Sequence, residues 1–560
     1  MGRKLKAALP ATAIFLLFAA SLWLHIFRDL LPFAAARFSR KYSTILYSHP
    51  VDRFRPNYAV RESIRSLPKL PPQAIAESVL LPDWEALVFL PSSSNSSTFP
   101  SGNSGTVSCL FNTGATSPAR PAGTGAFRCI LPNRLRRTLP FYTPSLVGSS
   151  FSAASQSQQD PPREMMRYTR LVYESVSTSN DVIVFAKGIN RRQGTSSTVS
   201  GLRCVFSPAS GGAIVAVTSV SSSAQEVFRC PHPPSANVSA SGSLRVSLAS
   251  GPDASPIPTV ADYLSPRAAS LGGAAEAARS PRASICACTM AYNVAKFLQE
   301  WVAYHAGIGV DRFFLYDNGS EDELEAAVSR LVSEGFNVMI RFWPWPKTQE
   351  AGFSHCAVVN RDTCEWMAFI DVDEFVFSPA WFKSDRPNKS MMGSLIKVDP
   401  RVGQVSIICL EFGPSGHRAH PHNGVTQGYT CRLRAESRHK SLVRLDAIDV
   451  SLLNSIHHFQ LADGFYSRWM PIDTIRVNHY KYQAWKEFKI KFRRRVSTYV
   501  ADWKENMNMG SNDRTPGLGF KPIKPDGWSH MFCEVNDTGL KEATLKWFSV
   551  DESHRMIGEK

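Results

Sequence analysis

The sequence predicts an α/β domain on a mixed, mostly parallel sheet, preceded by an all-β domain and an N-terminal transmembrane helix. Three observations predict this order. Between residues 284 and 370, apolar strand-like runs alternate with helical patterns in three β–α steps, the register of a doubly wound sheet. Ahead of them, short runs rich in Val, Phe and Thr alternate with Ser/Gly-rich turns. At the start, an uncharged apolar stretch follows three cations and is long enough to span a bilayer.

Taken in chain order, residues 1–6 form a basic cytosolic tail and 7–28 an uncleaved signal anchor. Positive charge on the N-terminal side predicts that everything after the span is luminal. Residues 29–80 are basic and proline-containing, and read as a stem. The β-rich domain occupies 81–250, with strands such as Asp181–Phe185 and Ala213–Thr218. A weak internal repeat pairs Cys109-Leu-Phe with Phe-Arg-Cys129, and Cys204-Val-Phe with Phe-Arg-Cys230. It suggests the bridges Cys109–Cys129 and Cys204–Cys230, one of three connectivities open to four cysteines. Eleven cysteines leave at least one thiol free. This domain reads equally as a carbohydrate-binding module or as a spacer packed on its neighbour. Residues 251–282 are a linker rich in Ala, Ser, Pro and Arg. Asn95, Asn237, Asn388 and Asn536 lie in glycosylation triplets that suit a secretory route.

The α/β domain spans 283–510, with 511–560 as a C-terminal extension. Ser284–Met290 is its first strand, and Asn293 caps a helix over Val294–Ala306 that Gly307 ends. Arg312–Tyr316 is the second strand, and Glu321–Glu334 the next helix, stopped by Gly335. Asn337–Ile340 is the third strand, and a short helix over Ser354–Asn360 leads to the strand Trp366–Ile370. Lys481–Arg495 reads as a helix with Trp485, Phe488 and Phe492 on one face and a basic opposite face. No Gly-x-Gly-x-x-Gly follows the first strand, so a dinucleotide fold is disfavoured.

The strand Trp366–Ile370 ends in Asp371-Val-Asp-Glu374. Ligands of open α/β sheets bind beyond the carboxyl ends of the strands. Two aspartates one residue apart suit Mg²⁺ or Mn²⁺, hard ions that keep positions open for phosphates. The chemical reading is a metal–diphosphate site. A net charge of +16 suits an anionic partner such as a nucleotide sugar, an acidic polysaccharide or a lipid surface, and the membrane span disfavours nucleic acid.

Thr289-Met-Ala-Tyr-Asn293, Phe297-Leu-Gln-Glu-Trp301, Tyr304-His305, Tyr316-Asp-Asn-Gly-Ser320 and Phe369-Ile-Asp-Val-Asp-Glu-Phe375 follow one another in order. Phe412-Gly-Pro-Ser-Gly416, His439-Lys-Ser441, His457-His-Phe459 and Asn478-His-Tyr480 come later. Together they resemble the GT-A core of plant glycosyltransferase family 92, the group that contains the pectic β-1,4-galactan synthases. The resemblance covers residues 284–500 and implies transfer of a sugar from a nucleotide diphosphate with inversion. It implies Mn²⁺ or Mg²⁺ on Asp371, Asp373 and His479, with Asp373 the more direct ligand and Asp371 an alternative holder of the sugar. Asp317 is then placed for uridine or ribose, Asn293 for the base, and Lys440 and Lys481 for the diphosphate. Glu411 is the first candidate for the base, with Asp446 and Asp463 as alternatives. The implied protein is a Golgi type II membrane enzyme using a UDP-sugar, most simply UDP-galactose, and a cell-wall glycan acceptor.

Three other readings compete. A haloacid-type phosphatase also carries Asp-x-Asp after a strand, but in the first strand and without Glu374 behind it. A zinc site from Cys286, Cys288, His355 and Cys356 lacks ligand-pair spacing. A membrane-anchored glycan-binding protein with an inactive transferase core is the strongest alternative. The Ser/Gly-rich stretches at 92–105 and 150–159 depart from the galactan synthases and leave donor and acceptor open.

Overall fold

The computed structural model describes residues 77–90, 107–123, 125–148, 163–190, 199–209, 211–234, 243–251, 255–266, 281–455, 457–490, 524–550 and 556–559. The tail, the membrane span, most of the stem, Asn95, Asn237 and Phe492 lie outside them. No helix among the described residues is long and apolar enough to cross a membrane.

Strict alternation of apolar side chains along the strand Ala283–Ala291 sets the architecture. Ile285 and Ala287 enter one buried cluster, and Cys286 and Cys288 enter a second on the opposite face. A strand buried on both faces must be covered twice. We number the strands of its sheet β1 (Ala283–Ala291), β2 (Arg312–Asp317), β3 (Val338–Phe342), β4 (Cys364–Phe369), β5 (Glu374–Phe377), β6 (Val402–Phe412), β7 (Cys431–Arg444), β8 (Tyr466–Trp469), β9 (Arg476–His479) and β10 (Val535–Asn536). The order across the sheet is β3-β2-β1-β4-β7-β6-β9-β5, with β8 pairing β6 and β10 pairing β7. The first four strands are parallel, and the chain then reverses, β7 running antiparallel to both β4 and β6.

Helix α1 (Ala295–Ile308) buries Leu298, Trp301 and Val302 against the first face. It runs past Gly307 to Gly309, whose φ of +122° and 2.3 Å approach to the Lys389 carbonyl oxygen, measured from an ideal Cβ position, leave room only for glycine. Asn293 does not cap it. Its φ is +53°, and its Oδ1 accepts the N–H of Glu321, while α1 takes its first external bond from Ala295 to Asp322 Oδ2. Helix α2 (Leu324–Ser333) packs on α1, and α3 (Gln349–Val359) covers the second face through Phe353 and Cys356.

The rest of that face is covered by the β-rich region. Val79, Leu87, Tyr173, Phe185 and Val227 share one core with Cys286, Tyr316, Trp343, Phe353 and Met367. Each such aromatic contributes roughly 1.5–3 kcal/mol by leaving water, so this surface is structural. The region comprises a seven-stranded sheet from Glu77 to Arg167, followed by two four-stranded sheets running to Tyr263. It begins ahead of residue 81 and extends beyond 250, since Asp262–Tyr263 pairs with Leu244–Arg245 inside the stretch read as a linker. The C-terminal residues are likewise integral. Leu540, Ala543 and Trp547 of the helix Gly539–Trp547 are buried in the first cluster, and β10 pairs β7. Helix 485–490 packs Trp485 and Phe488 on Trp528.

Cys109 is bonded to Cys129 and Cys204 to Cys230, the latter joining strands of the two four-stranded sheets. Cys286–Cys364, Cys288–Cys356 and Cys431–Cys533 are three further bridges that no local spacing announces. The first two join β1 to β4 and to α3, and so consume the cysteines of the rejected zinc reading. Cys409 is the free cysteine, and burial raises its thiol pKa well above the ordinary range. A maleimide added without reductant should label no thiol in the native protein and one per chain in denaturant, and Cys409→Ser should remove that one. Two or more labelled thiols would contradict this pairing.

Candidate functional site

The sheet reverses where β4 stops. Phe369 and Ile370 are buried, and the chain turns through Asp371, the buried Val372 and Asp373 into β5. The turn is closed twice, by Glu374 N–H to the Asp371 carbonyl oxygen at 3.0 Å and by Asp371 N–H to Glu374 Oε2 at 2.9 Å. Strand β9 lies between β5 and β6, pairing His479 with Glu374 on one side and with Glu411 on the other. Tyr480 N–H then donates to the Asp373 carbonyl oxygen at 2.8 Å. Three carboxylates from two segments, Asp373 and Glu374 at the β4–β5 turn and Glu411 on β6, thus converge on one imidazole.

His479 Nε2 lies 3.5 Å from Asp373 Oδ2, and its Nδ1 lies 3.6 Å from Glu374 Oε1. One ligand atom each from Asp373, Glu374 and His479 fall within 4.8 Å of one another. Glu374 Oε1 is buried without a hydrogen bond, although Lys440 Nζ is 2.8 Å away, close but not aligned. That oxygen therefore faces the Lys440 ammonium on one side and His479 on the other. Two oxygens and an imidazole nitrogen fit Mn²⁺ better than Mg²⁺. The triad differs from the expected one, because Glu374 takes the place read for Asp371.

Asp371 turns instead to Lys440. The Lys440 ammonium is buried, 2.9 Å from Asp371 Oδ2 and 2.7 Å from His457 Nε2. Burial favours its neutral form, but Asp371 and Glu374 outweigh that and hold its pKa above the ordinary lysine range. Burial alone would raise the Asp371 carboxyl, but the charge of Lys440, with His457 beside it and the Lys440 hydrogen bond, together hold it below the ordinary aspartate range, so it stays ionised. For Glu374 the balance reverses, and burial pushes its pKa up against the pull of Lys440. Burial and Lys440 bring His457 down to about 3, so its imidazole is neutral and accepts from the ammonium.

Glu411 is at the same place but occupied. Lys481 Nζ donates to its Oε1 at 2.6 Å, and Ser437 Oγ donates to that oxygen at 2.7 Å. Burial would raise its pKa, but Lys481 and His479 leave it below the usual glutamate range. Lys481 therefore serves Glu411. Asp446 stands apart. It follows β7 past Arg444, which pairs with Trp366 near the start of β4, and it is held by Arg282 and Arg361 at 2.7 and 3.1 Å. The Asp373–Glu374–His479 cluster is at the other end of β4, so Asp446 belongs to a separate ion-pair cluster. Asp463 is exposed in a turn tied to the same end by Ala462 N–H and the Ala447 carbonyl oxygen.

Asp317 ends β2, and its Oδ1 accepts from Gly319 N–H, Ser320 N–H and Ser320 Oγ. Arg128 of the β-rich region donates to the carbonyl oxygens of Asn318 and Gly319 at 2.9 and 3.2 Å. Asn293 and Asp317 thus shape the two loops at the carboxyl ends of β1 and β2. Asn388 and Asn536 are both exposed. Glu374 and His457 are the residues that sequence reasoning left without a role. Both stood in quoted motifs, but only the turn and the β7 pairing reveal what they face.

A glycosyltransferase family 92 model matches residues 282–511. A family 92 glycosyltransferase of Ricinus communis is 43% identical over 417 residues, covering 71% of each chain. The chain belongs to glycosyltransferase family 92. A rice relative of the same family is 41% identical over 79% of each chain, and one from Arabidopsis thaliana is 41% identical over 69% of this chain and 68% of its own. A mannosyltransferase from Pyrobaculum calidifontis, solved with GDP-mannose and Mn²⁺, is 12% identical and covers 49% of this chain and 79% of its own, at a TM-score of 0.25. As a family 92 member the protein is a glycosyltransferase.

Lys440→Met should lower stability by about 3–5 kcal/mol, because it leaves buried carboxylates uncompensated. Adding Glu374→Gln should recover part of the loss in Tm. An unchanged Tm in the single variant would contradict the buried ion cluster.

Proposed function

We propose that this protein transfers a hexose with inversion from a UDP-sugar, most simply UDP-galactose, to a cell-wall glycan such as pectic galactan. The observation that carries the reading is the convergence of Asp373, Glu374 and His479 at the carboxyl end of β4, beside Glu411. Asp373, Glu374 and His479 would hold a divalent ion, which when bound neutralises the diphosphate leaving group. Asp371, fixed by Lys440, is oriented for the donor at the reversal of the sheet, where ligands of α/β folds collect. The loops after Asn293 and Asp317, at the carboxyl ends of β1 and β2, would receive the nucleoside.

Glu411 is the candidate base. Its ionised form at neutral pH can take the proton of an acceptor hydroxyl while that oxygen bonds to the anomeric carbon and UDP departs. Lys481 and Ser437 orient its carboxylate. Their hydrogen bonds also lower its basicity, so orientation supplies more of the rate than proton affinity does. The charged start and the apolar span at 7–28 support a Golgi type II placement with this site in the lumen.

The test is UDP release from a panel of UDP-sugars with Mn²⁺. One sugar should be hydrolysed, and both chelator and Asp373→Ala should abolish the signal. With acceptor present, Glu411→Gln should lower kcat by about 100-fold or more and leave the donor KM nearly unchanged. Release from no sugar, with no metal-dependent UDP binding, would overturn the assignment and favour a glycan-binding role.

A further inference from the structure

Arg128 lies on the strand Ala126–Ile130 of the β-rich region, and Arg120 stands opposite it on the neighbouring strand Thr116–Pro121. Like charges opposed across a ladder repel. Both side chains leave their sheet for one loop of the α/β domain, the loop after β2. Arg128 Nη2 donates to the Asn318 carbonyl oxygen at 2.9 Å and Nη1 to that of Gly319 at 3.2 Å. Arg120 Nη1 donates to Glu321 Oε1 at 2.7 Å. The pose of Arg128 is set by the loop. Its Nε is buried without a hydrogen bond, and Glu85 Oε2 of its own region stands 3.8 Å from Nη1.

The grip of the guanidinium reaches a side chain it does not touch. The Asn318–Gly319 peptide gives its carbonyl oxygen to Arg128 and its N–H to Asp317 Oδ1, at 3.1 Å. The Gly319–Ser320 peptide does the same, with its N–H 2.8 Å from that oxygen. Two peptide units thus run from a cation to a carboxylate, an arrangement in which each hydrogen bond polarises the next. Ser320 Oγ also donates to Asp317 Oδ1 and accepts from Asn293 N–H at 3.0 Å, so the loop after β1 is fixed with it. Asp317 is in register with Ala291 of β1, and Cys288 of β1 with Phe369 of β4. The loop therefore leaves the sheet level with the Asp371–Glu374 turn, two strands away, about 10 Å across. A nucleoside diphosphate whose phosphates meet that turn has its nucleoside over these loops.

We infer that Arg128 is a positioning residue of the donor site, orienting the Asp317 carboxylate for the nucleoside through the two peptide units it grips. This rests on the transferase reading above. The β-rich region thereby completes the donor site as well as covering the sheet. Arg120 and Glu321, both about half exposed, add little.

The test uses the full-length protein in detergent micelles with Mn²⁺. UDP binding by calorimetry, and transfer kinetics with β-1,4-galactotetraose as acceptor, are compared between wild type, Arg128→Ala, Arg128→Lys and Arg120→Ala. Arg128→Ala loses two hydrogen bonds from a charged donor, so it should weaken UDP binding and raise the donor KM by about tenfold or more, and move the acceptor KM less than about twofold. Arg128→Lys offers a point charge in place of the fork and should fall in between, and it carries the test if the alanine variant does not fold. Arg120→Ala removes the same charge from the same loop and should stay within about twofold of wild type. Equal UDP affinity in wild type and Arg128→Ala would overturn the role of Arg128 and leave the transferase reading standing. So would an equal rise in donor and acceptor KM, or a loss as large in Arg120→Ala. No UDP binding by wild type would overturn both.

Discussion

A buried ammonium organises this molecule. Lys440 is out of water, and a lone charge there would cost several kcal/mol. It is tolerable because Asp371, Glu374 and the neutral His457 surround it. Those partners come from the β4–β5 turn and from the segment after β7, so the requirement to neutralise one cation pins the place where the sheet reverses direction. Lys440 holds Asp371 on one side, Glu374 Oε1 stands between Lys440 and His479, and Asp373 faces His479. The functional geometry follows from the electrostatic one.

The β-rich region is bound to the same logic. It shares a core with the second face of the sheet, and Arg128 holds the loop after Asp317 through two carbonyl oxygens. Gly319 there has a φ of +81°, and a Cβ at that residue would come within 2.1 Å of the Arg128 guanidinium, so guanidinium and loop fit only around a glycine. Tyr168 OH reaches the Pro346 carbonyl oxygen at 2.7 Å, and Gln225 Nε2 reaches that of Asn454 at 2.6 Å. Whatever glycan chemistry the region adds, it is also the second cover of the sheet that carries the site. Of the two sequence readings, the packed one describes its contacts.

The β–α register and the acidic turn were legible because they are local. Period-two and period-3.6 patterns identify β1, α1, β2, α2, β3 and β4 to within a few residues. Asp371-Val-Asp-Glu announces itself by its place after an apolar strand. What was not legible depends on partners distant in sequence. Glu374 meets His479 because β9 pairs with β5, a pairing that no local spacing reveals. Lys481 looked like a phosphate ligand, and is taken up by Glu411 through the β6–β9 pairing. Asp446, an alternative base in the sequence reading, is carried by an antiparallel strand to the far end of β4. The two bridges from β1 needed strand neighbours that no spacing reveals. The C-terminal helix joined the core for the same reason.

The central claim is that Asp373, Glu374 and His479 bind the metal while Asp371 is held by Lys440. Mn²⁺ binding in the presence of UDP, followed by electron paramagnetic resonance, tests it directly in wild type, Asp371→Asn, Asp373→Asn and Glu374→Gln. The account predicts that Asp373→Asn and Glu374→Gln each weaken Mn²⁺ by about tenfold or more, whereas Asp371→Asn changes it by less than about threefold. Loss of Mn²⁺ affinity in Asp371→Asn, with Glu374→Gln indistinguishable from wild type, would contradict it.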